Sequence, residues 1–286
     1  MSLREKISPL ITKARGNAPF CPWLATIRCT YPYNFKLRAP KLDILVTEEE
    51  EDVALLCFGG KHSFWFPRKT PINLELWNEY LAVFWEHPAN AHSYLRSGMP
   101  GLEEDIVYDC GACEGFFTRL ALDSGAAMVV CIEPAGFMAA CLQRTFATEI
   151  AQGRVVICKA ALSSVAGRAM FDQKPGEAFT GKLARSGSET VELTTLDVLA
   201  ETLSAPTFVK MDLEGAEYEA LRGGVATLAQ THPKLAVTTY HFPWDYAVSK
   251  ALISSVGYDH IRCSAATMRQ TDVPRAVMLH AWKTFK

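Results

Sequence analysis

The chain has 286 residues, 49% of them apolar and 21% charged, with a formal charge of −2 and nine cysteines. That length buries a full core without cross-links, and an odd set of cysteines scattered from Cys21 to Cys263 fits a reducing compartment, taken as the cytoplasm, better than a disulfide framework. Near-neutral charge excludes the footprint of a general nucleic-acid binder. The charged first residues, with no apolar run of about 18 residues anywhere, predict a soluble chain without a membrane partner.

Residues 1–40 are rich in proline and aromatics and read as irregular structure or short helices. Three β-prone runs follow, "LDILVTE", "DVALLCF" and "HSFWFP", separated by an acidic turn over Glu48 to Asp52 and by Gly59-Gly60, the pattern of an antiparallel meander. From Asn73 to about Arg96 the spacing of Leu74, Trp77, Leu81, Phe84 and Trp85 predicts a helix, with Pro88 as its break. These segments form an extension over 1–98 that leads into a main domain over 99–286.

In the main domain the apolar runs "IVYDC", "AMVVCIE", "RVVICKA", "PTFVKMD" and "KLAVTTYH" alternate with helical spacing over Gly115 to Leu122, Ala135 to Ile150 and Glu214 to Gln230. Continuous apolar strands joined by helices predict a parallel sheet covered on both faces. The final "GYDHIRC" and "RAVMLHAW" lack an intervening helix and read as a closing antiparallel pair. Ligands on such a sheet bind at the carboxyl ends of the strands.

Four of those ends carry chemistry. After the first strand, "VYDCGACEG" turns through Gly111 and Gly115 into a helix, with Asp109 ahead of the turn. The dinucleotide fingerprint needs glycine at 111, 113 and 116, where the chain has Gly111, Cys113 and Phe116, so the turn argues against a nicotinamide cofactor. Cys110 and Cys113 form a C-x-x-C pair, but no second pair and no histidine at zinc spacing accompany them, so no metal site is expected. The second strand ends in Glu133-Pro134, where an acid accepts from two neighbouring ribose hydroxyls. The fourth ends in "VKMDLEGAEYEALRGG", which crowds Lys210, Asp212, Glu214 and Glu217 together, and the fifth in Tyr240-His241. Asp212 and His241 at this edge are candidates for acid–base work.

The motifs "VYDCGACEGFFT", "CIEPAGFMAACLQRTF", "VELTTLDVL", "FVKMDLEGAEYEALRGG" and "YHFPWD" resemble, in this order, the FkbM-type S-adenosylmethionine-dependent methyltransferases, over about residues 100–286. The resemblance implies a Rossmann-like class I fold, a mostly parallel seven-stranded sheet with a C-terminal antiparallel hairpin. It also implies O-methylation of a hydroxyl on a small-molecule acceptor, a natural product or sugar. Asp109, Gly111, Ala112 and Gly115 would hold the methionine portion, Glu133 with Pro134 the ribose, and Ala160 and Ala161 the adenine side. Asp212, Glu214 and His241 would face the methyl group and the acceptor. Cys113 stands where the family turn commonly has asparagine. A nicotinamide oxidoreductase and a non-catalytic binding protein on the same fold are the alternatives.

Overall fold

The structure is a computed structural model and describes residues 3–16, 18, 20–29, 43–86, 90–96, 98–173, 181–264, 266–267 and 274–284. Two helices, α1 (Leu3–Ala14) and α2 (Trp23–Cys29), precede the expected meander of β1 (Ile44–Glu49), β2 (Val53–Phe58) and β3 (His62–Pro67). The strands pair in the order β1-β2-β3, antiparallel throughout. β1 extends through Glu49, so the acidic turn is shorter than its run of charges suggests.

Helix α3 (Leu74–Phe84) starts where Asn73 accepts from the backbone N–H of Glu75 and Leu76. It stops twelve residues short of the expected Arg96. The amide of the buried Asn90 folds back and donates to the carbonyls of Ala82 at 2.9 Å and Trp85 at 3.1 Å, satisfying groups that a helix end leaves open. Pro88 lies outside the described residues.

The main sheet has the order β13-β16-β12-β11-β4-β5-β6. It is built from β4 (Ile106–Cys110), β5 (Met128–Ile132), β6 (Val155–Cys158), β11 (Phe208–Met211), β12 (Lys234–Thr238), β13 (His260–Cys263) and β16 (Met278–Trp282). The neighbours from β6 through β12 are parallel, and β16 runs antiparallel to both β12 and β13. This is the expected class I arrangement with its closing antiparallel pair. Alternate residues of each strand enter different cores: Val107, Val129, Phe208 and Ala236 on one face, Tyr108, Val130, Val209 and Leu235 on the other.

The helices on the two faces are α4 (Phe116–Asp123), α5 (Gly136–Thr145), α6 (Ala147–Ala151), α7 (Leu196–Thr202), α8 (Glu217–Arg222), α9 (Val225–Thr231) and α10 (Asp245–Ser255). Two expected single helices are each broken. Phe146 leaves helical geometry between α5 and α6, and Gly223-Gly224 separate α8 from α9, where a Cβ on Gly223 would lie 2.2 Å from the carbonyl oxygen of Ser163. A second sheet, of order β7-β10-β8-β9, was not expected. Its strands β7 (Ala161–Leu162), β8 (Gly167–Asp172), β9 (Lys182–Ala184) and β10 (Glu189–Thr194) are short and half-exposed, so they lack the apolar runs that mark the main sheet. The pair β14 (Ala266–Thr267) and β15 (Arg275–Ala276) lies near α2.

The extension and the main domain share one core across residue 98. Phe116, the first residue of α4, inserts among Phe58, Phe64 and Tyr80, with ring centroids 5.2, 4.8 and 5.4 Å away and edge-on geometry in each case. Edge-to-face packing adds to the area such rings bury. Phe116→Ala is therefore expected to lower stability by about 3–5 kcal/mol. Urea unfolding measures the loss, and hydrogen exchange should show the amides of β1–β3 losing protection first.

Candidate functional site

The turn after β4 is held by geometry that few residues satisfy. Gly111 has φ +77°, and a Cβ there would lie 2.0 Å from the carbonyl oxygen of Asp212, so the turn can lie against the end of β11 only as glycine. The backbone N–H groups of Gly111 and Ala112 donate to the carbonyl of Ile132 at 2.9 and 3.2 Å, tying the turn to β5. Glu133 completes the tie, accepting from Cys113 N–H at 3.0 Å and Ala135 N–H at 2.9 Å. Burial, opposed by those two hydrogen bonds, pushes the Glu133 carboxyl up to about 7.

Beneath the turn lies a buried ion pair. Lys210, 4% exposed, places Nζ 2.9 Å from Asp109, which is fully buried. Nζ also donates to the carbonyls of Gly111 at 2.5 Å and Cys110 at 3.3 Å, while Thr118 donates to the other Asp109 oxygen at 2.7 Å. Burial would lower the Lys210 ammonium, but Asp109 and Asp212 hold it above its ordinary value. Asp109 thus faces inward and does not line the cavity, which corrects its expected role as a ligand contact: its oxygens are engaged below the turn. Gly115 is also displaced from that role, because its Cα packs where a Cβ would meet the ring of Phe146 at 2.5 Å.

Above the turn is a cavity of about 560 Å³. Gly111, Ala112, Glu133, Pro134, Ala160 and Ala161 line it. Asp212, Glu214 and His241 line it as well, together with Tyr94, His92 and Glu79 of the extension. Phe171, Lys182 and Leu183 of the second sheet complete the wall. Sequence reasoning missed Glu114, a cavity residue whose carboxyl is pushed up to about 8 by burial and by the field of Glu79. A glutamate in a turn carries no sign of burial.

Past the ends of β11 and β12, Asp212 accepts from Tyr94 O–H at 2.8 Å and from Thr238 O–H at 3.2 Å. His241 is enclosed by carboxylates: Glu217 Oε1 lies 3.1 Å from Nδ1, Glu214 Oε2 3.5 Å and Asp212 Oδ1 4.0 Å from Nε2. These are charge contacts without the alignment of hydrogen bonds. Burial lowers the imidazole, yet Glu214, Glu217 and Asp212 outweigh it and carry it to about 11. The ring is an imidazolium at neutral pH, which corrects its expected role as a base. Glu217, the first residue of α8, is 1% exposed and accepts from Leu213 N–H at 2.8 Å and Thr238 O–H at 3.0 Å.

The C-x-x-C pair is not a redox couple in this setting. Cys110 and Cys113 are free, and burial pushes both thiols well above their ordinary value, the opposite of a reactive thiolate.

A family model described as the methyltransferase FkbM domain matches residues 109–263, more than half of the chain. No curated protein matches. Among solved structures, the chain is similar to a methyltransferase FkbM from Methylobacillus flagellatus at 24% identity and TM-score 0.49, over 67% of this chain and 47% of that one. It thus spans about half the length of that protein. It is also similar to a precorrin-6y C5,15-methyltransferase from Geobacter metallireducens, at 12% identity and TM-score 0.42, over 77% of this chain and 94% of that one. The third is M. jannaschii TYW2 in complex with AdoMet, at 12% identity and TM-score 0.44, over 84% and 90% of the two chains.

Removing one member of the buried pair leaves the other uncompensated. Lys210→Met is expected to cost about 3–5 kcal/mol, and Asp109→Asn combined with it should recover a large part of that loss. Denaturant unfolding of the two single variants and the double variant measures the coupling.

Proposed function

The chain belongs to the FkbM methyltransferase family, and from that premise we propose that it transfers the methyl group of S-adenosylmethionine to a hydroxyl of a small molecule, a natural product or sugar. The observation that carries this reading is one cavity that brings the glycine turn and Glu133 together with Asp212, Glu214 and His241. The residues present fit the cofactor. Glu133 is held rigidly by two backbone donors and still presents lone pairs to vicinal hydroxyls, while Ala160 and Ala161 leave room for a flat base. Pro134 borders the ribose side, and Gly111 and Ala112 offer backbone to the methionine portion.

When bound, S-adenosylmethionine supplies an electrophilic methyl carbon on a sulfonium. The chain's task is to orient the acceptor, exclude water and receive a proton. The walls from the extension and the second sheet enclose the cavity, and positioning of this kind supplies most of the rate advantage. With His241 charged, the proton falls to a carboxylate. Asp212 already accepts from two hydroxyls, so Glu214, at the cavity wall, is the base in this reading and Asp212 is the orienting group. The failed glycine pattern at Cys113 and Phe116 gives the nicotinamide alternative no support. Among the described residues no helix is long and apolar enough to cross a membrane. We read the protein as cytoplasmic from its free cysteines and as acting on small molecules.

Calorimetry with S-adenosylmethionine tests the reading directly: one site per chain is expected, and absence of binding by folded protein would sink it. Glu133→Gln should weaken that binding by about 1–3 kcal/mol. The Glu133 carboxyl, near 7 in the fold against about 4.3 when free, gains its proton as pH falls through 7, so affinity for S-adenosylmethionine should drop toward pH 5. In Glu133→Gln that dependence should flatten. Glu214→Gln should lower turnover by a factor of about 100 to 10,000 while leaving cofactor affinity unchanged. Parallel loss of both would move Glu214 out of the acceptor chemistry.

A further inference from the structure

We infer that Asp212, Glu217 and His241 form a divalent-cation site at the acceptor end of the cavity, and that a hydroxyl of the acceptor would complete the cation's coordination. The inference rests on the methyl-transfer reading for the role of the cation, but not for its binding.

Each of the three residues offers one ligand atom, and these atoms all lie within 4.8 Å of one another. The 3.1 Å between Glu217 Oε1 and His241 Nδ1 matches the edge of about 3 Å expected between adjacent ligands of a six-coordinate ion with bonds near 2.1 Å. The polar atoms there are also unsatisfied. Glu217 Oε2 is buried without a hydrogen-bond partner in a residue 1% exposed, and both ring nitrogens of His241 are buried without an aligned hydrogen bond. Packed proteins leave few such atoms, and Glu217 Oε2 with the one ring nitrogen of His241 that can face a single ion calls for a ligand.

Charge points the same way. Asp212, Glu214 and Glu217 face a single imidazole, while the nearby ammonium of Lys210 is engaged with Asp109 below the turn. A proton on His241 offsets one of three negative charges. A divalent cation would displace that proton and offset two. The ligands are also held in place by outer partners: the Thr238 hydroxyl lies within hydrogen-bond distance of Asp212 and Glu217 and donates to one of them at a time, Leu213 N–H donates to Glu217, and Tyr94 O–H to Asp212. Such partners orient metal ligands. No sequence motif announces the set, because its members come from the ends of β11 and β12 and the start of α8.

Two carboxylates and one imidazole suit manganese, iron or zinc, and leave positions open. An acceptor with two neighbouring oxygens, such as a vicinal diol, fits those positions. The cation would lower the pKa of the hydroxyl it holds. The hydroxyl proton passes to Glu214, the new O–CH3 bond forms as the S–CH3 bond breaks, and the sulfonium leaves as a neutral thioether.

The test uses the full chain freed of metal by chelator and titrated with Mn²⁺ alone, with free Mn²⁺ followed by electron paramagnetic resonance. One bound Mn²⁺ per chain is expected, with paramagnetic broadening of the His241 imidazole signals in the unaltered protein. Asp212→Asn should weaken binding at least about 10-fold, and Glu217→Gln likewise. Where Glu217→Gln fails to fold, the broadening of His241 decides. No stoichiometric Mn²⁺, affinity unchanged in Asp212→Asn, or broadening confined to other residues overturns the site. Calorimetry with S-adenosylmethionine in the chelated protein separates the two readings. A chain that binds S-adenosylmethionine but takes up no Mn²⁺ ends this inference alone, whereas one that takes up Mn²⁺ but binds no S-adenosylmethionine ends the methyl-transfer reading and leaves the site standing.

Discussion

The ion pair between Lys210 and Asp109 is the constraint on which the rest of the site depends. Two charges out of water cost several kcal/mol each, so the pair persists only because further hydrogen bonds surround it: Thr118 on one side, the carbonyls of Cys110 and Gly111 on the other. Those carbonyls belong to the turn itself. The ammonium therefore fixes the path of the turn from below, and Glu133 fixes it from the side through Cys113 N–H. The upper surface of the turn is left free to meet a ligand. The same ammonium lies 5.4 Å from the ring centroid of Tyr94, whose hydroxyl reaches Asp212, so one buried charge links the turn to Asp212.

The extension is tied to the main domain at two depths. At the surface of the core, Phe116 is surrounded by rings of the meander and of α3. Closer to the cavity, the segment 90–96 is pinned by His280 of β16, which contacts the carbonyls of Ser93 and Tyr94 at 3.2 Å. Burial lowers that histidine to about 4, so it stays neutral and leaves no charge behind Tyr94. Residues Glu75 and Glu79 of α3 meet the cavity from the same side. The cavity is thus lined by both halves of the chain.

Much of this was legible in the sequence where burial is complete. The four inner parallel strands are buried on both faces, which writes them as apolar runs, and the glycine turn and Glu133 stand at fixed places after two of them. The meander was legible from its alternation and its glycines. Where burial is partial the signal fades: β8 is "GRAMFD", half-exposed, and nothing in that string marks a strand. The break between α5 and α6 at Phe146 was hidden because apolar spacing continues across it. The site was legible as a set of positions and not as a set of roles. Asp109 and Lys210 are far apart in the chain, so their pairing, which turns Asp109 away from the cavity, depends on β4 lying beside β11. The charge on His241 depends likewise on three acids brought by tertiary structure.

Phe116 occupies the first position of the helix that the turn opens into, and its ring is buried in the extension. Anyone recombining this chain with relatives to change the acceptor therefore has no clean seam at residue 98. A donor extension that lacks a socket for this ring would disturb the cofactor side in the act of remodelling the acceptor side. The unit of exchange is the extension together with the residue that plugs it.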